Sequence, residues 1–358
     1  MKIAHFAPFA PNRCGLYEAA RDFVRADILT GHEAYLIDTG ASTDGVTTEF
    51  AKSPSDTRGN FTLPITTFDK VLDADIIVAH TGIPDNWVVR SQAPMIFILH
   101  GRPLDCFRPE QNKEPKKAYT LLSNLAKWPR VKKMITMWEE HYPFWEPIIP
   151  GEKLVLLDPP PMDEDRFSAK GNKHVISAEC KGDLNLLIAD SWRSDVDIYE
   201  IMNGIILAGK KIKGLKIHNY AVETQKGSTN VVEPWNLIFD YTKRMGIQGE
   251  IFGRVTDMEQ IYRAMDVTVT PHRIATRVIG ESLSCGTPVI AGGSKFTKWN
   301  CHPEDAKSVA EAIEKFAEDY TKNPKEIKEY VKETAQKFNL TSWGERINKI
   351  YEEVKETK

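Results

Sequence analysis

Apolar residues fall along this chain in short runs that alternate with stretches of helical spacing. Lys2–Ala7 is an apolar run of strand length. Gly15–Leu29 then carries Leu16, Ala19, Ala20, Phe23, Val24 and Ile28 three and four residues apart, which puts them on one helix face, and Gly31 supplies the stop. Further runs predict strands over Ala34–Asp38, Asp75–Ala79, Met95–Leu99, Met134–Met137 and Leu154–Leu157. Pro159-Pro160-Pro161 ends the pattern, and the polar stretch to about His174 reads as a domain linker. The alternation then resumes. Strands are expected over Leu184–Ala189, Leu215–His218, Glu250–Phe252, Val267–Thr270 and Pro288–Ala291. Helices are expected over Val196–Gly209, Trp235–Met245, Met258–Met265 and Val278–Ser284. Three helices close the chain, the last with Trp343, Ile347, Ile350, Tyr351 and Val354 on one face.

Strand–helix alternation of this kind predicts mostly parallel sheets covered by helices. At 358 residues the chain has length for two such units. Hydrophobic content of 41% and charged content of 27% are those of a globular protein. A net charge of −3 argues against a generally basic nucleic-acid coat, though not against a local basic patch. The five cysteines, Cys14, Cys106, Cys180, Cys285 and Cys301, have no C-x-x-C spacing. They fit a reducing compartment with neither a disulfide framework nor a zinc site. Met1–Phe6 reads as a buried strand rather than a signal-peptide core, and no apolar run approaches membrane-spanning length. The expectation is a cytoplasmic protein (host cytoplasm if it is viral) whose membrane contact, if any, is peripheral.

Ligands of parallel sheets bind beyond the carboxyl ends of the strands. The residues just after strands are therefore the informative ones. The loop from Pro8 to Gly15 runs into a helix, whose first N–H groups can meet an anion or a sugar hydroxyl; a plain strand–helix turn is the alternative. His80 and His100 each end a strand, where a histidine can bond a substrate or cap a neighbouring element. Asp105, just beyond His100, is a candidate general base or a solvated loop aspartate. Asp190-Ser-Trp-Arg-Ser194 follows the first strand of the second half, and the planar fork of Arg193 suits a diphosphate. The densest stretch is Thr270–Ala291, where Arg273 and Arg277 precede a helix and Glu281 lies inside it. The arginines can meet phosphate, and Glu281 can accept from two ribose hydroxyls. An arginine partner is the alternative for Glu281.

Several of these stretches resemble the group 1 nucleotide-sugar glycosyltransferases. Glu281-Ser-Leu-Ser-Cys-Gly-Thr-Pro-Val-Ile-Ala291 is similar to that family's E-A-x-A-x-G-x-P-V-I-A. Phe252-Gly-Arg-Val255 with Ile261–Val267 resembles its base-binding strand and helix, and Leu99-His-Gly101 its donor-side histidine. Phe338, Trp343 and Tyr351 fit its C-terminal helix. The resemblance implies a GT-B fold: two facing Rossmann-like domains with parallel sheets, and a last helix crossing back to the first. The implied domains are 1–165 on the acceptor side, 166–340 for the nucleotide-sugar, and a returning helix over 341–358. Two departures stand out. Arg273 occupies the place of the family's first glutamate, and no lysine follows Arg193 closely. Ser191-Trp-Arg-Ser194, and Arg277 ahead of Glu281, resemble instead the phage DNA glucosyltransferases that act on hydroxymethylated bases, with the Arg277–Glu281 spacing one residue longer.

The activity implied is transfer of a sugar from a nucleotide-sugar co-substrate, a UDP-sugar, without a metal or further cofactor. Arg193 and Arg277, with Arg273 and Gly15, would meet the diphosphate, whose leaving charge fixed donors stabilise. Glu281, Arg254 and Val255 would hold the nucleoside. His100 would hold the sugar if configuration is retained; Asp105 would be the base if it is inverted. His80, Arg102, Lys116 and Lys117 fall on the acceptor side. Between Lys113 and Lys133 seven basic residues (Lys113, Lys116, Lys117, Lys127, Arg130, Lys132, Lys133) interleave with Tyr119, Leu121, Leu122, Leu125 and Trp128. They can follow a DNA backbone, lie on an anionic membrane, or form a solvated amphipathic helix. The reading favours a hydroxymethylated base in viral DNA as acceptor. The alternatives are a lipid-linked or envelope glycan and, in another class, a non-catalytic sugar-nucleotide binder.

Overall fold

The computed structural model describes residues 1–7, 15–37, 55–58, 60–66, 73–80, 91–100, 115–190, 198–220, 232–253, 255 and 257–356. The chain divides into two compact units, Met1–Asp165 together with Phe338–Lys358, and Arg166–Lys337. No helix among the described residues is long and apolar enough to cross a membrane.

Among the described residues the first unit has eight strands: β1 (Lys2–Phe6), β2 (Glu33–Ile37), β3 (Ser55–Arg58), β4 (Phe61–Thr66), β5 (Ile76–His80), β6 (Met95–Leu99), β7 (Val131–Thr136) and β8 (Leu154–Leu156). They lie in the order β3-β4-β2-β1-β5-β6-β7-β8. All neighbours are parallel except the edge pair β3–β4. That edge hairpin has no counterpart in the apolar pattern. The expected strand at Met134–Met137 instead starts at Val131, so Lys132 and Lys133 lie on β7 and not on a helix. The basic segment is thus split between helix α2 (Pro115–Lys127) and β7.

Helix α1 (Gly15–Leu29) is buried on every side over Ala19–Asp27. The final helix, α10 (Leu340–Glu356), packs against it. Phe23 meets Trp343 edge to face at 4.7 Å. The two backbones approach so closely at Gly344 that a Cβ there would lie 2.9 Å from the Ala26 carbonyl oxygen. Residues read as a polar linker are packed as well. Pro159 through Asp163 are buried, Met162 N–H donates to the Phe338 carbonyl at 2.8 Å, and the Glu164 carboxylate accepts from Leu340 N–H at 2.9 Å. A carboxylate at that helix start satisfies a free N–H and faces the positive end of the helix dipole.

The second unit holds β9 (Leu184–Ile188), β10 (Leu215–Tyr220), β11 (Gln248–Phe252), β12 (Val267–Val269), β13 (Val289–Ala291) and β14 (Trp299–Asn300). Their order is β11-β10-β9-β12-β13-β14, all parallel. Counted within the unit this is 3-2-1-4-5-6, the doubly wound order whose chain reverses direction between the first and fourth strands. Between α2 and this unit's helices stands the short α3 (Tyr142–Trp145). The second unit's own are α4 (Tyr199–Gly209), α5 (Val232–Arg244), α6 (Met258–Ala264), α7 (Arg277–Ser284), α8 (Ala306–Lys322) and α9 (Pro324–Ala335).

His218 on β10 is fully enclosed, accepting from Glu250 N–H at 3.1 Å and facing Asn185 Oδ1 at 3.2 Å. Burial pushes its pKa from 6.5 to about 4; Glu250 and Asp266 raise it, while His174 and Lys216 lower it. A neutral folded histidine that protonates near 6.5 once unfolded binds more protons in the unfolded state between those values. Stability is therefore expected to fall as pH drops through that window, by up to about 3 kcal/mol from this group. Urea midpoints across the window check this, and His218→Gln should flatten the profile. An equally steep profile in that variant would assign the acid sensitivity elsewhere.

Candidate functional site

In the second unit, chemistry gathers where the doubly wound sheet reverses. Strands β9 and β12 are neighbours, so the residues after them meet. His272 Nε2 lies 2.8 Å from Asp190 Oδ1. Asp190 is buried, and its Oδ2 has no hydrogen-bond partner among the described residues.

Helix α7 begins at Arg277, and Glu281 follows one turn later on the same face. Arg277 Nε donates to Glu281 Oε1 at 2.9 Å, and the Tyr262 hydroxyl donates to Glu281 Oε2 at 3.3 Å. The Tyr262 phenol is held well above the usual tyrosine range, first by burial and then by the Glu281 charge, so it remains a donor. The Arg277 guanidinium also sits 5.9 Å from the centroid of the Phe167 ring.

The rest of the motif keeps α7 in place. Ser282 Oγ donates to Thr268 Oγ1 on β12 at 2.8 Å, and Gly286 takes φ +82°, which closes the helix without steric cost. Val255 packs against the cluster of Phe252, Ile261 and Tyr262. Arg273 stands apart from this group. It is exposed, and its Nη2 bonds both oxygens of Glu304, at 2.7 and 2.6 Å.

In the first unit, β1, β5 and β6 lie side by side, and three histidines align across them. His5 Nδ1 is 3.1 Å from His80 Nε2, and His80 Nδ1 is 2.8 Å from His100 Nε2. His80 is fully buried under Phe23, with both ring nitrogens bonded to neighbouring histidines. The acceptor-side expectation for His80 thus falls on a ring enclosed between His5 and His100. Burial, then His100 and His5, push its pKa well below the usual histidine range. His100 ends the row and is partly exposed. Gly15 opens α1 and is exposed, and Lys116 and Lys117 lie in the first turn of α2.

Arg102, Asp105, Arg193 and Arg254 lie outside the described residues. Of the basic segment, Arg130 donates from Nε and Nη2 to the Ala93 carbonyl oxygen, and Lys133 pairs with Glu353 at 3.1 Å. Both cations are thus engaged within the first unit. Sequence reasoning passed over His5, Asp190, His272 and Tyr262 as site residues. For Asp190 and His272 the available signal was their position directly after strands.

No protein-family model matches the chain, and neither does any curated protein. Solved structures do share its fold over nearly its whole length. HepE from Anabaena, in a crystal with UDP, has a TM-score of 0.72 at 14% identity, over 99% of this chain and 100% of its own. HepE in complex with UDP-glucose gives 0.71 over the same shares at the same identity. A glycosyltransferase from Rickettsia africae ESF-5 gives 0.67 at 16% identity, over 99% and 98%. Sucrose-phosphate synthase from Thermosynechococcus elongatus gives 0.69 at 14% identity, over 100% of both chains. The fold is thus the α/β architecture of GT-B glycosyltransferases, with two parallel-sheet units.

Proposed function

We propose that this protein is a glycosyltransferase that takes a sugar from a nucleotide-sugar, with a UDP-sugar as donor. The observation that carries the reading is the second unit's cluster at the reversal of its sheet. Arg277, Glu281 and Tyr262 are bonded to one another on and beside the helix that starts there, with Asp190 and His272 on the adjoining strand ends. Binding at such a point of a doubly wound sheet is the general rule. The UDP and UDP-glucose in the HepE crystals make uridine the first base to try.

In this reading Glu281, with Arg254 and Val255, holds the nucleoside. Arg277 and Arg193 meet the diphosphate, joined by Gly15, and by Arg273 once it leaves Glu304. Fixed cations there stabilise the charge that develops on the leaving phosphate. His100 holds the sugar if configuration is retained, and Asp105 takes the acceptor's proton if it is inverted. Arg102, Lys116 and Lys117 face the acceptor. For the acceptor we favour the hydroxyl of a hydroxymethylated pyrimidine in DNA, on the Ser191–Ser194 stretch and the arginine ahead of Glu281. A lipid-linked or envelope glycan is the second reading. It is favoured by the internal duties of Arg130 and Lys133, which shorten the basic stretch available to a DNA backbone.

The test is mass spectrometry of nucleosides from DNA containing hydroxymethylated pyrimidines, after incubation with the protein and UDP-, GDP- or ADP-sugars. A hexose or pentose gain on the modified base is the expected result. UDP released only when lipid or glycan acceptors are added would move the acceptor to the second reading. Donor binding without turnover on any acceptor would leave a sugar-nucleotide binder.

A further inference from the structure

Among the buried polar side chains of the second sheet, Asn185 and His218 are fully partnered. Asn185, near the start of β9, accepts from Gly182 N–H at 2.9 Å and donates from Nδ2 to Asp266 Oδ2 at 3.0 Å. His218 on β10 has both ring nitrogens engaged, by Glu250 N–H and by Asn185 Oδ1. The next residue on β10 differs. Asn219 is 0% exposed, and neither its Oδ1 nor its Nδ2 has a hydrogen-bond partner among the described residues. Asp190, just after β9, is 4% exposed. His272 occupies its Oδ1, and its Oδ2 has no partner among the described residues. Both residues lie at the carboxyl ends of adjacent strands.

They also share one face of the sheet. Asn219 is the ladder partner of Ile188 on β9. Aligned residues of parallel strands point the same way, and every second residue of an extended strand returns to that face. Asp190 stands two residues beyond Ile188. Leu187, Ala189 and Phe252 point the other way, into the cluster they form with Ile261 and Tyr262 of α6. Asn219 and Asp190 therefore face away from α6.

A buried amide with nothing to bond is costly, and an apolar side chain of similar shape avoids that cost. The neighbour on β9 is an isoleucine. An amide kept beside it, at the ligand end of a doubly wound sheet, points to a ligand that bonds it. The amide donates from Nδ2 and accepts at Oδ1. A phosphate can take the N–H but leaves Oδ1 facing a second acceptor. A hydroxyl both donates and accepts, so adjacent hydroxyls of a sugar satisfy both atoms. We propose that Asn219 is a specificity-determining residue whose amide, with Asp190 on the same face, bonds hydroxyls of the donor's sugar. The proposal rests on the nucleotide-sugar reading of the second unit and adds to it the residue that tells a sugar from a bare phosphate. Asn219 is enclosed here, so the contact entails a local shift at these strand ends.

Asn219→Leu keeps the branched shape and removes both polar atoms. If the amide is unmet within the fold, leucine relieves a cost. The urea midpoint without any nucleotide is then expected to equal or exceed that of the wild type. Asn219→Val repeats the comparison with a smaller side chain, in case leucine is too large for the space. Midpoints lowered in both variants would mean that the amide is bonded inside the folded protein, and the proposal would be overturned.

Calorimetry with UDP, UDP-glucose, UDP-galactose and UDP-N-acetylglucosamine then reads the contact itself. Asn219→Leu is expected to weaken the UDP-sugar that the wild type binds best by about tenfold, and UDP by less than about twofold. Equal losses for UDP and the UDP-sugar would set the amide against the nucleotide and overturn the sugar assignment. Unchanged affinity for the UDP-sugar would overturn it as well. A wild type that binds none of the four rejects the UDP-sugar donor, and the sugar assignment falls with it. That failure is told apart from the other two because it shows in the wild type before any variant is made.

Discussion

Replacing Asp163 with alanine is expected to destabilise the first unit by about 3–5 kcal/mol. Arg21 and Arg25 stand one turn apart on α1, and both are buried. Asp163 Oδ2 lies 3.4 Å from Arg21 Nη1 and 2.5 Å from Arg25 Nη1, and Asp163 is itself fully buried. Arg25 has a second carboxylate in Asp165, which is exposed. Arg21 donates to the Phe61 carbonyl oxygen at 3.1 Å, and both guanidinium groups lie over the Phe61 ring. A guanidinium cannot shed its proton to escape burial, so the variant keeps two like charges there without the anion they share. Breaking such a group costs far more than it contributes as a whole, because the partners left behind are not rehydrated. Glu318→Ala is the control. Its pair with Lys322 is exposed on α8, and its loss should leave the urea midpoint nearly unchanged. Urea denaturation compares the two. Equal midpoints would mean that water reaches the Arg21–Arg25 site and that the burial argument fails.

The same helix marks the limit of what the chain discloses by itself. Its apolar spacing gave α1 correctly, because periodicity is a local property. Arg21, Asp22, Arg25 and Asp27 occupy the positions that would face solvent in a helix with one buried side. They are buried because a second layer covers them, and the partners of Arg21, Arg25 and Asp27 include Asp163 and Tyr351, more than a hundred residues away. No local signal carries that. The β3–β4 hairpin escaped for another reason. Phe61–Thr66 holds one fully buried residue, Leu63, and an edge strand that includes Pro64 has too little apolar contrast to register. Pro129 separates α2 from β7, and reading the basic residues as one run concealed that break.

The cluster at the reversal of the second sheet was legible in part. Arg277 and Glu281 are four apart, and on a helix that spacing alone makes them neighbours. Tyr262 and the Asp190–His272 pair depend on which strands adjoin, which only the sheet order supplies. His80 and His100 looked equivalent as two strand-end histidines. Helix packing over the sheet separated them, enclosing one and leaving the other partly exposed.

Arg277→Ala and Glu281→Ala are expected to weaken donor binding in different ways, and the difference identifies the role of each. A guanidinium that meets a diphosphate contributes to UDP and not to uridine. Arg277→Ala should therefore cost about a hundredfold in kcat/KM for the donor and weaken UDP, while uridine binds nearly as before. Arg277→Lys should recover little of this, because a point charge does not replace the planar fork. A carboxylate that accepts from the ribose contributes to UDP and to uridine alike. Glu281→Ala should weaken both and abolish any preference over the 2′-deoxy nucleotide. The two side chains are bonded to each other at 2.9 Å, so each single change also releases the other's partner. The double variant is thus expected to lose less than the two losses added together. Calorimetry with UDP, uridine and 2′-deoxyuridine diphosphate separates the cases. If Arg277→Ala binds UDP as tightly as the wild type, the guanidinium only braces Glu281. If Glu281→Ala leaves the 2′-deoxy preference in place, the ribose is held elsewhere.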